Sequence, residues 1–576
     1  MTAWRSARSR GGADTVDAAF LRAPPFPGAR PVWSIDRAVE SDLLMRPIAD
    51  APPADLFTLL RKYRVGGAFW APPLSRPHLH GHILCPANLD QARHMHGMLS
   101  AEVSMPWRAI VPPGREGRRI AAWLKTQDGM VDHGPVDPWS IADSAFSLWA
   151  PSGDERAIVA QLAGIPVRCF AENGSRVATM LPSDPWETIE RNVLGGRRYL
   201  DWFTGAPCTV EAVIEQLGVW RVVIDRNRTI ATTAGIASWK RREIDSFLWA
   251  ERTRPLTSFR NAAHAVRGAA RADGAIAIWP SRVPASLFAD AEAAAVPVYQ
   301  VEDGFIRSVG LGSGLHPPQS IVVDPIGIYY DPTRPSALEQ LLETASFSAA
   351  ILDRAAALID VIVATGISKY AAGRDTIADL PAGRRRVLVT GQVEDDRSVL
   401  LGGGDVTGNL DLLKRARAAE PDAFLMFKPH PDVEAGHRKG AVDDDACLRF
   451  ADMIVRDGSM AALLDTVEAV HVWTSLAGFE ALLRRREVIV HGQPFFAGWG
   501  LTQDLAAPLL RRTRRLSLME LVAGTLLVYP QYLDPVTNLP CTPELLISRM
   551  AQPSFQHQSL LTRIRAIQGQ VNRWFR

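Results

Sequence analysis

Ala469-Val-His-Val-Trp-Thr-Ser-Leu-Ala-Gly-Phe-Glu480 sets an apolar run, two small hydroxyl residues and a helical start in immediate succession. Ala469–Trp473 suits a buried strand, and Thr474 or Ser475 suits the N-cap of a helix that follows. The same order of strand, turn residues and helix recurs at Arg386–Thr390, Phe424–Phe427 and Glu487–His491. Strands alternating with helices build parallel sheets, which bind ligands at the carboxyl ends of their strands. Residues 381–528 are therefore predicted to form one doubly wound, Rossmann-like domain.

Upstream, Val219–Ile224, Ala275–Trp279, Val296–Val301 and Ile321–Val323 are apolar runs separated by Ala-rich helical stretches. They predict a second doubly wound domain over residues 215–380, facing the first across a cleft. Earlier still, Ala145–Trp149, Glu155–Leu162 and Ile165–Phe170 give a β-α-β rhythm within an α/β module at 31–200, and Gly and Pro break the connection over 171–215. Trp149-Ala-Pro-Ser-Gly-Asp-Glu155 echoes Trp473–Glu480 with one residue fewer, so this module reads as a degenerate half-module. Chance likeness between two βαβ units is the competing account. Residues 1–30, rich in Arg, Gly and Pro, are expected to be mobile. Residues 529–576 show little strand character and are expected to form a helical tail. Within it Leu560, Ile564, Ile567, Val571 and Trp574 alternate with arginines as in an amphipathic helix, suited to an anionic membrane surface or to the protein's own surface.

A chain of 576 residues is too long for one core, and its formal net charge of +2 gives no reason to expect nucleic acid. Cys85, Cys169, Cys208, Cys447 and Cys541 are odd in number and scattered, which reads as reduced and mostly buried thiols. The basic N-terminus has no apolar segment behind it, and no apolar run approaches the roughly 20 residues of a membrane helix. These features predict a cytoplasmic protein. His78, His80, His82, His94 and His96 lack an acid or Cys partner at ligand spacing, so packing or surface roles are expected and no metal.

Four motifs carry chemistry. Val301-Glu-Asp-Gly-Phe-Ile-Arg-Ser308 ends a strand with two acids and a glycine, a turn that can push a carboxylate into the cleft as base or nucleophile. Glu302 and Asp303 are the catalytic candidates, and Arg307 and Ser308 are candidates for substrate contact; a solvated turn with a capping Asp is the alternative. Phe427-Lys-Pro-His-Pro-Asp432 holds His430 between two prolines, with Lys428 beside it, which suits a phosphate leaving group. Thr474 and Ser475 combine hydroxyls, backbone N–H groups and a helix dipole into a second phosphate-binding element, compatible with plain N-capping, and Glu480 is placed for ribose hydroxyls. Gly391-Gln-Val-Glu-Asp-Asp-Arg-Ser398 lacks the Gly-Lys-Ser/Thr of a P-loop; Gln392 is a nucleotide candidate and Asp396 a sugar candidate, while Ser398 is a helix-cap candidate.

With these motifs in this order, the chain resembles the capsular polysaccharide β-Kdo transferases, the KpsC/KpsS-like family. The resembling region runs from Gly235-Ile-Ala-Ser-Trp-Lys240 to Tyr529-Pro-Gln-Tyr-Leu-Asp-Pro535 and includes His491-Gly-Gln-Pro-Phe-Phe-Ala-Gly-Trp-Gly500. The resemblance implies a GT-B glycosyltransferase fold of two Rossmann-like domains and a nucleotide sugar, CMP-Kdo, as donor. It further implies a lipid-linked glycan acceptor at the inner membrane, capsule-assembly partners, and no metal or other cofactor. Asp303 would be the catalytic carboxylate, acting with retention of configuration, and His430, Thr474 and Ser475 would hold the CMP phosphate. KpsC-like chains carry two complete modules, whereas the N-terminal part here lacks the motifs, so one catalytic site is expected. The alternatives are a sialyl- or glycerophosphate-transferring GT-B relative, or a non-catalytic capsule assembly or export protein.

Overall fold

Each of the apolar runs named above forms a strand except Val219–Ile224, which lies inside the helix Val210–Arg228. Val210, Val213, Ile214, Leu217, Trp220 and Ile224 are buried, while Val219 and Val222 are exposed. That spacing is one face of a 3.6-residue repeat, which a six-residue window hides. The computed structural model describes residues 20–30, 53–75, 81–102, 106–127, 129–171, 178–181, 185–190, 199–252, 255–306, 317–367 and 383–552. They fall into two units, residues 1–228 with 249–253, and residues 229–248 with 254–576.

The first unit is built on strands β1 (Gly81–Leu84), β2 (Trp107–Val111), β3 (Met130–His133), β4 (Ala145–Pro151), β5 (Val167–Phe170) and β6 (Ala178–Met180). Their order is β3-β2-β1-β4-β5-β6, with β6 antiparallel to β5. Helix Val210–Arg228 packs against helix Pro53–Tyr63 here, and does not open the next domain as the 215 boundary supposed. Arg221 anchors it through a 2.6 Å ion pair to the buried Asp137. The described part of the N-terminus also departs from expectation. Phe20, Leu21 and Phe26 are buried, with the Phe26 ring 5.5 Å from that of Trp220 and 4.7 Å from that of Trp249. These apolar anchors outweigh the Arg, Gly and Pro around them.

The second unit contains β7 (Ile230–Ala234), β8 (Thr257–Phe259), β9 (Ala275–Ile278), β10 (Val298–Asp303) and β11 (Ser320–Asp324). There follow β12 (Arg386–Thr390), β13 (Phe424–Lys428), β14 (Met453–Ile454), β15 (Ala469–Val472), β16 (Glu487–Val490) and β17 (Gln503–Asp504), and finally β18 (Gln531–Leu533) and β19 (Pro540–Cys541). One sheet has the order β19-β18-β11-β10-β9-β7-β8 and the other β14-β13-β12-β15-β16-β17. The second is parallel throughout, and Val387, Leu388 and Val389 of its central strand are fully buried, as a sheet covered on both faces requires. The first is mixed, because β11, β18 and β19 run antiparallel to their neighbours. Two Rossmann-like sheets in one unit make the GT-B arrangement, and the α/β half-module precedes it in the chain.

The tail is therefore only partly helical. Residues 531–533 and 540–541 complete the mixed sheet, and helix Pro543–Met550 follows. Strands this short, one with a Pro at the sheet edge, show no readable alternation. Tyr529 pins this return by donating its hydroxyl to the buried Asp324 at 2.8 Å. Helix Leu518–Val522 packs on helix Ala349–Thr365 beside the mixed sheet, so the chain leaves the parallel sheet earlier than residue 528. The amphipathic stretch 560–576 lies outside the described residues.

The internal echo has a structural counterpart. The β3-β2-β1-β4-β5-β6 and β14-β13-β12-β15-β16-β17 sheets share one strand order, with Trp149 inside β4 and Trp473 directly after the equivalent strand β15. After β4, however, the helix Glu155–Leu162 starts on carboxylates. Asp154 caps it, and Glu155 is taken up by Arg22 at 2.7 Å and by the Ala68 N–H at 2.8 Å. An anion has no place at that helix start, so the module is degenerate in chemistry while intact in topology.

Candidate functional site

Glu302 and Asp303 are the last residues of β10, at its carboxyl end. Gly304 is required there because its backbone lies against Ser320, whose hydroxyl a Cβ would overlap. Close approach, and not a left-handed turn, explains this glycine. Asp303 Oδ1 accepts from Lys240 Nζ at 2.8 Å. Lys240 is itself buried, its ammonium 3.7 Å from the centre of the Trp279 ring. An ammonium between an aromatic face and a carboxylate is held by both. Arg307 and Ser308 lie outside the described residues.

The loops after β12, β13 and β15 converge at the carboxyl end of the parallel sheet. Gln392 is buried, and its amide is spent on its neighbour: Oε1 accepts the Thr474 N–H at 2.7 Å and Nε2 donates to Thr474 Oγ1 at 3.0 Å. Thr474 Oγ1 also meets Ser398 Oγ at 3.2 Å. Gln392 and Thr474 thus brace two loops together. Asp396 caps helix Arg397–Gly402, accepting the Ser398 N–H at 3.0 Å and its hydroxyl at 2.8 Å. That cap is Asp396, where the sequence nominated Ser398. Ser475 caps helix Leu476–Leu483, on which Glu480 is buried.

His430 Nδ1 accepts the Asp432 N–H at 3.1 Å, so Nε2 carries the proton of the neutral ring and is the donor. Lys428 donates to the Arg456 carbonyl at 3.2 Å, and burial lowers its pKa, partly offset by Asp457 and Glu434. A cation with a burial penalty gains from an incoming anion.

These groups share one cavity of about 1140 Å³. Glu302 and Asp303 line it from the mixed sheet; Gln392, Asp396, Lys428 and His430 line it from the parallel sheet, with Thr474, Ser475 and Glu480 beside them. The space suits a ligand of nucleotide-sugar size. Aromatic rings from both sheets pack at its wall, with Phe305 4.7 Å from Tyr329 and 4.8 Å from Phe495 between ring centres. Residues that the motif reading passed over are Lys240, Tyr329, Tyr330 and Arg397. Lys240 ends the quoted Gly235–Lys240 stretch, and the pair Tyr329-Tyr330 follows a strand, but neither carries a signature by itself.

Other nominated residues behave as packing. His82 is buried beside Ser147, and His94 and His96 pack on aromatic rings; His78 and His80 lie outside the described residues. Among the described residues no group of three or more His, Cys, Asp or Glu is placed to hold a metal, and no helix is long and apolar enough to cross a membrane.

The profile of a family described as "Capsule polysaccharide biosynthesis protein" matches residues 274–532. The chain is 34% identical to a Thermosulfurimonas dismutans KpsC structure titled beta Kdo 2,7 transferase, covering 97% of that chain and 55% of this one, with a TM-score of 0.45. The chain belongs to the KpsC-like family of capsule polysaccharide biosynthesis proteins. A second member, titled Thermosulfurimonas dismutans KpsC, beta Kdo 2,4 transferase, is 31% identical over 98% of its own chain and 56% of this one, with a TM-score of 0.49. The capsule polysaccharide modification protein LipA of Neisseria meningitidis serogroup A is 39% identical over 341 residues, 59% of this chain and 48% of LipA. The chain thus spans about half the length of the curated relatives it matches. Family membership rests on these identities and on the profile, whose matched span holds Glu302, Asp303, His430 and Ser475.

Proposed function

We propose that this chain is a retaining β-Kdo transferase that moves Kdo from CMP-Kdo to a lipid-linked glycan acceptor in capsule biosynthesis. The observation that carries the reading is a single cavity with a carboxylate pair on one wall and the Ser475-capped helix start, with His430 and Lys428, on the other. Membership of a family with two members titled as Kdo transferases supports the choice of sugar.

In this reading Asp303 attacks the anomeric carbon of Kdo. The bond to the phosphate oxygen breaks with its electron pair leaving on CMP, while Nε2–H of His430, Lys428 and the Ser475 helix start stabilise that charge. An acceptor hydroxyl then displaces Asp303 from the covalent intermediate as Glu302 takes its proton, and two inversions give net retention. As written, the reaction uses no metal. The lipid acceptor, capsule-assembly partners and any membrane contact of residues 553–576 belong to the same proposal. Incubation with CMP-Kdo followed by peptide mass spectrometry should find one Kdo residue on the Asp303 peptide. Undiminished CMP release by Asp303→Ala would overturn the reading.

A further inference from the structure

A donor that carries a carboxylate on its anomeric carbon brings a second anion to the site besides its phosphate. The phosphate has its candidates at Lys428, His430 and Ser475. The carboxylate would arrive at the wall that already holds Glu302 and Asp303, where Lys240 is committed to Asp303 at 2.8 Å. The incoming carboxylate would sit beside two others, and a cation facing it would offset their repulsion.

The cavity offers four more cations. Arg438 is engaged by Asp395 at 3.1 Å, and Arg456 by Glu434 at 2.8 Å and Asp444 at 2.5 Å. Lys428 ends β13, two residues before His430. Among the described residues only Arg397 lines the cavity with no carboxylate at ion-pair distance and stands outside the phosphate group of side chains. Its neighbour is Tyr330, whose hydroxyl is buried in the cavity wall and, among the described residues, has no hydrogen-bond acceptor. Burial raises the Tyr330 pKa, Glu302 and Tyr329 add to the rise, and the Arg397 guanidinium opposes it. The hydroxyl is therefore a protonated donor, close enough to feel Glu302 on one side and Arg397 on the other.

We infer that Arg397 and Tyr330 form the subsite for the anomeric carboxylate of a 2-ulosonate donor and select donors that carry one. The guanidinium fork matches a carboxylate in plane, and the Tyr330 hydroxyl gains an acceptor for its proton. The inference rests on the transferase reading above and adds to it the part of the site that reads the sugar.

The test uses the full chain with two probes, CMP-Kdo and CMP alone. Arg397→Met should raise the KM for CMP-Kdo roughly ten- to hundred-fold, and Tyr330→Phe several-fold, while the inhibition constant of CMP stays at the wild-type value. Arg397→Lys should recover part of the loss, since it restores charge without the fork. A KM for CMP-Kdo unchanged in Arg397→Met, with active wild type, overturns the subsite alone. A wild-type enzyme that ignores CMP-Kdo overturns the transferase reading as well. Equal losses for CMP and CMP-Kdo would make the role general charge and overturn the carboxylate assignment.

Discussion

Lys240 Nζ lies 2.8 Å from Asp303 Oδ1, so the carboxylate proposed to attack the donor is aimed by a residue 63 positions earlier in the chain. Lys240 follows β7 and Asp303 ends β10, and β9 lies between these strands in the sheet. Removing the ammonium takes away the Lys240 ion pair and loosens the hold on the Asp303 rotamer. Lys240→Met is expected to lower kcat roughly ten- to hundred-fold, with a smaller effect on the KM for the donor, and Lys240→Arg to retain part of the rate. Steady-state kinetics checks this, with circular dichroism to show that the fold persists; a wild-type kcat in Lys240→Met would remove the positioning role.

Gln392 and Thr474 give a second contrast. Gln392→Ala strands the buried Thr474 N–H and should cost about 1–3 kcal/mol of stability. Gln392→Glu can accept from both Thr474 donors and should hold stability better, yet it sets a negative charge beside the proposed phosphate site. It should therefore bind CMP more weakly than wild type by roughly tenfold or more, read by calorimetry. If Gln392→Glu binds CMP as wild type does, Thr474 and Ser475 do not lie at the phosphate.

Gly304 tests how closely the Asp303 loop is fitted. Its Cβ would overlap the Ser320 hydroxyl, which donates to the Ile306 carbonyl. Gly304→Ala should destabilise the protein by about 1–3 kcal/mol and lower turnover, because the displaced segment carries the carboxylates. Thermal unfolding and CMP release report the two effects separately.

Much of this site is legible from the residues alone because it sits where strands end. Glu302, Asp303, Lys428, His430 and Ser475 each follow a readable apolar run, and the strand-end rule for doubly wound sheets places them in one cavity. What stayed hidden was set by tertiary contact. Lys240 and Arg397 have no local pattern that distinguishes them from surface cations. Gln392 looked like a ligand residue, and only the neighbouring loop shows that its amide holds Thr474. Helix Val210–Arg228 was obscured because its most apolar six residues, Val219–Ile224, span more than one face. Strands β18 and β19 are too short to carry a period, and the mixed sheet needed them, since β11 would otherwise present an unpaired edge.

Beneath the site, His471 Nδ1 and His491 Nε2 are 2.9 Å apart in the core of the parallel sheet. Burial lowers the pKa of His471 to about 3, with His491 and Arg385 adding to the effect, and burial lowers that of His491 to about 4. In the unfolded chain both return to the ordinary histidine value near 6.5. Between about pH 6.5 and about pH 4 the unfolded state therefore binds more protons than the folded state, and unfolding is favoured as pH falls. Above that window both rings are neutral in either state and the pair adds no pH dependence. A double variant, His471→Gln with His491→Gln, keeps two polar side chains but cannot titrate. Melting curves should show wild type losing roughly 5 °C or more beyond the double variant between pH 7 and pH 4.5. Parallel curves would mean that the pair is hydrated, or already protonated, in the folded protein.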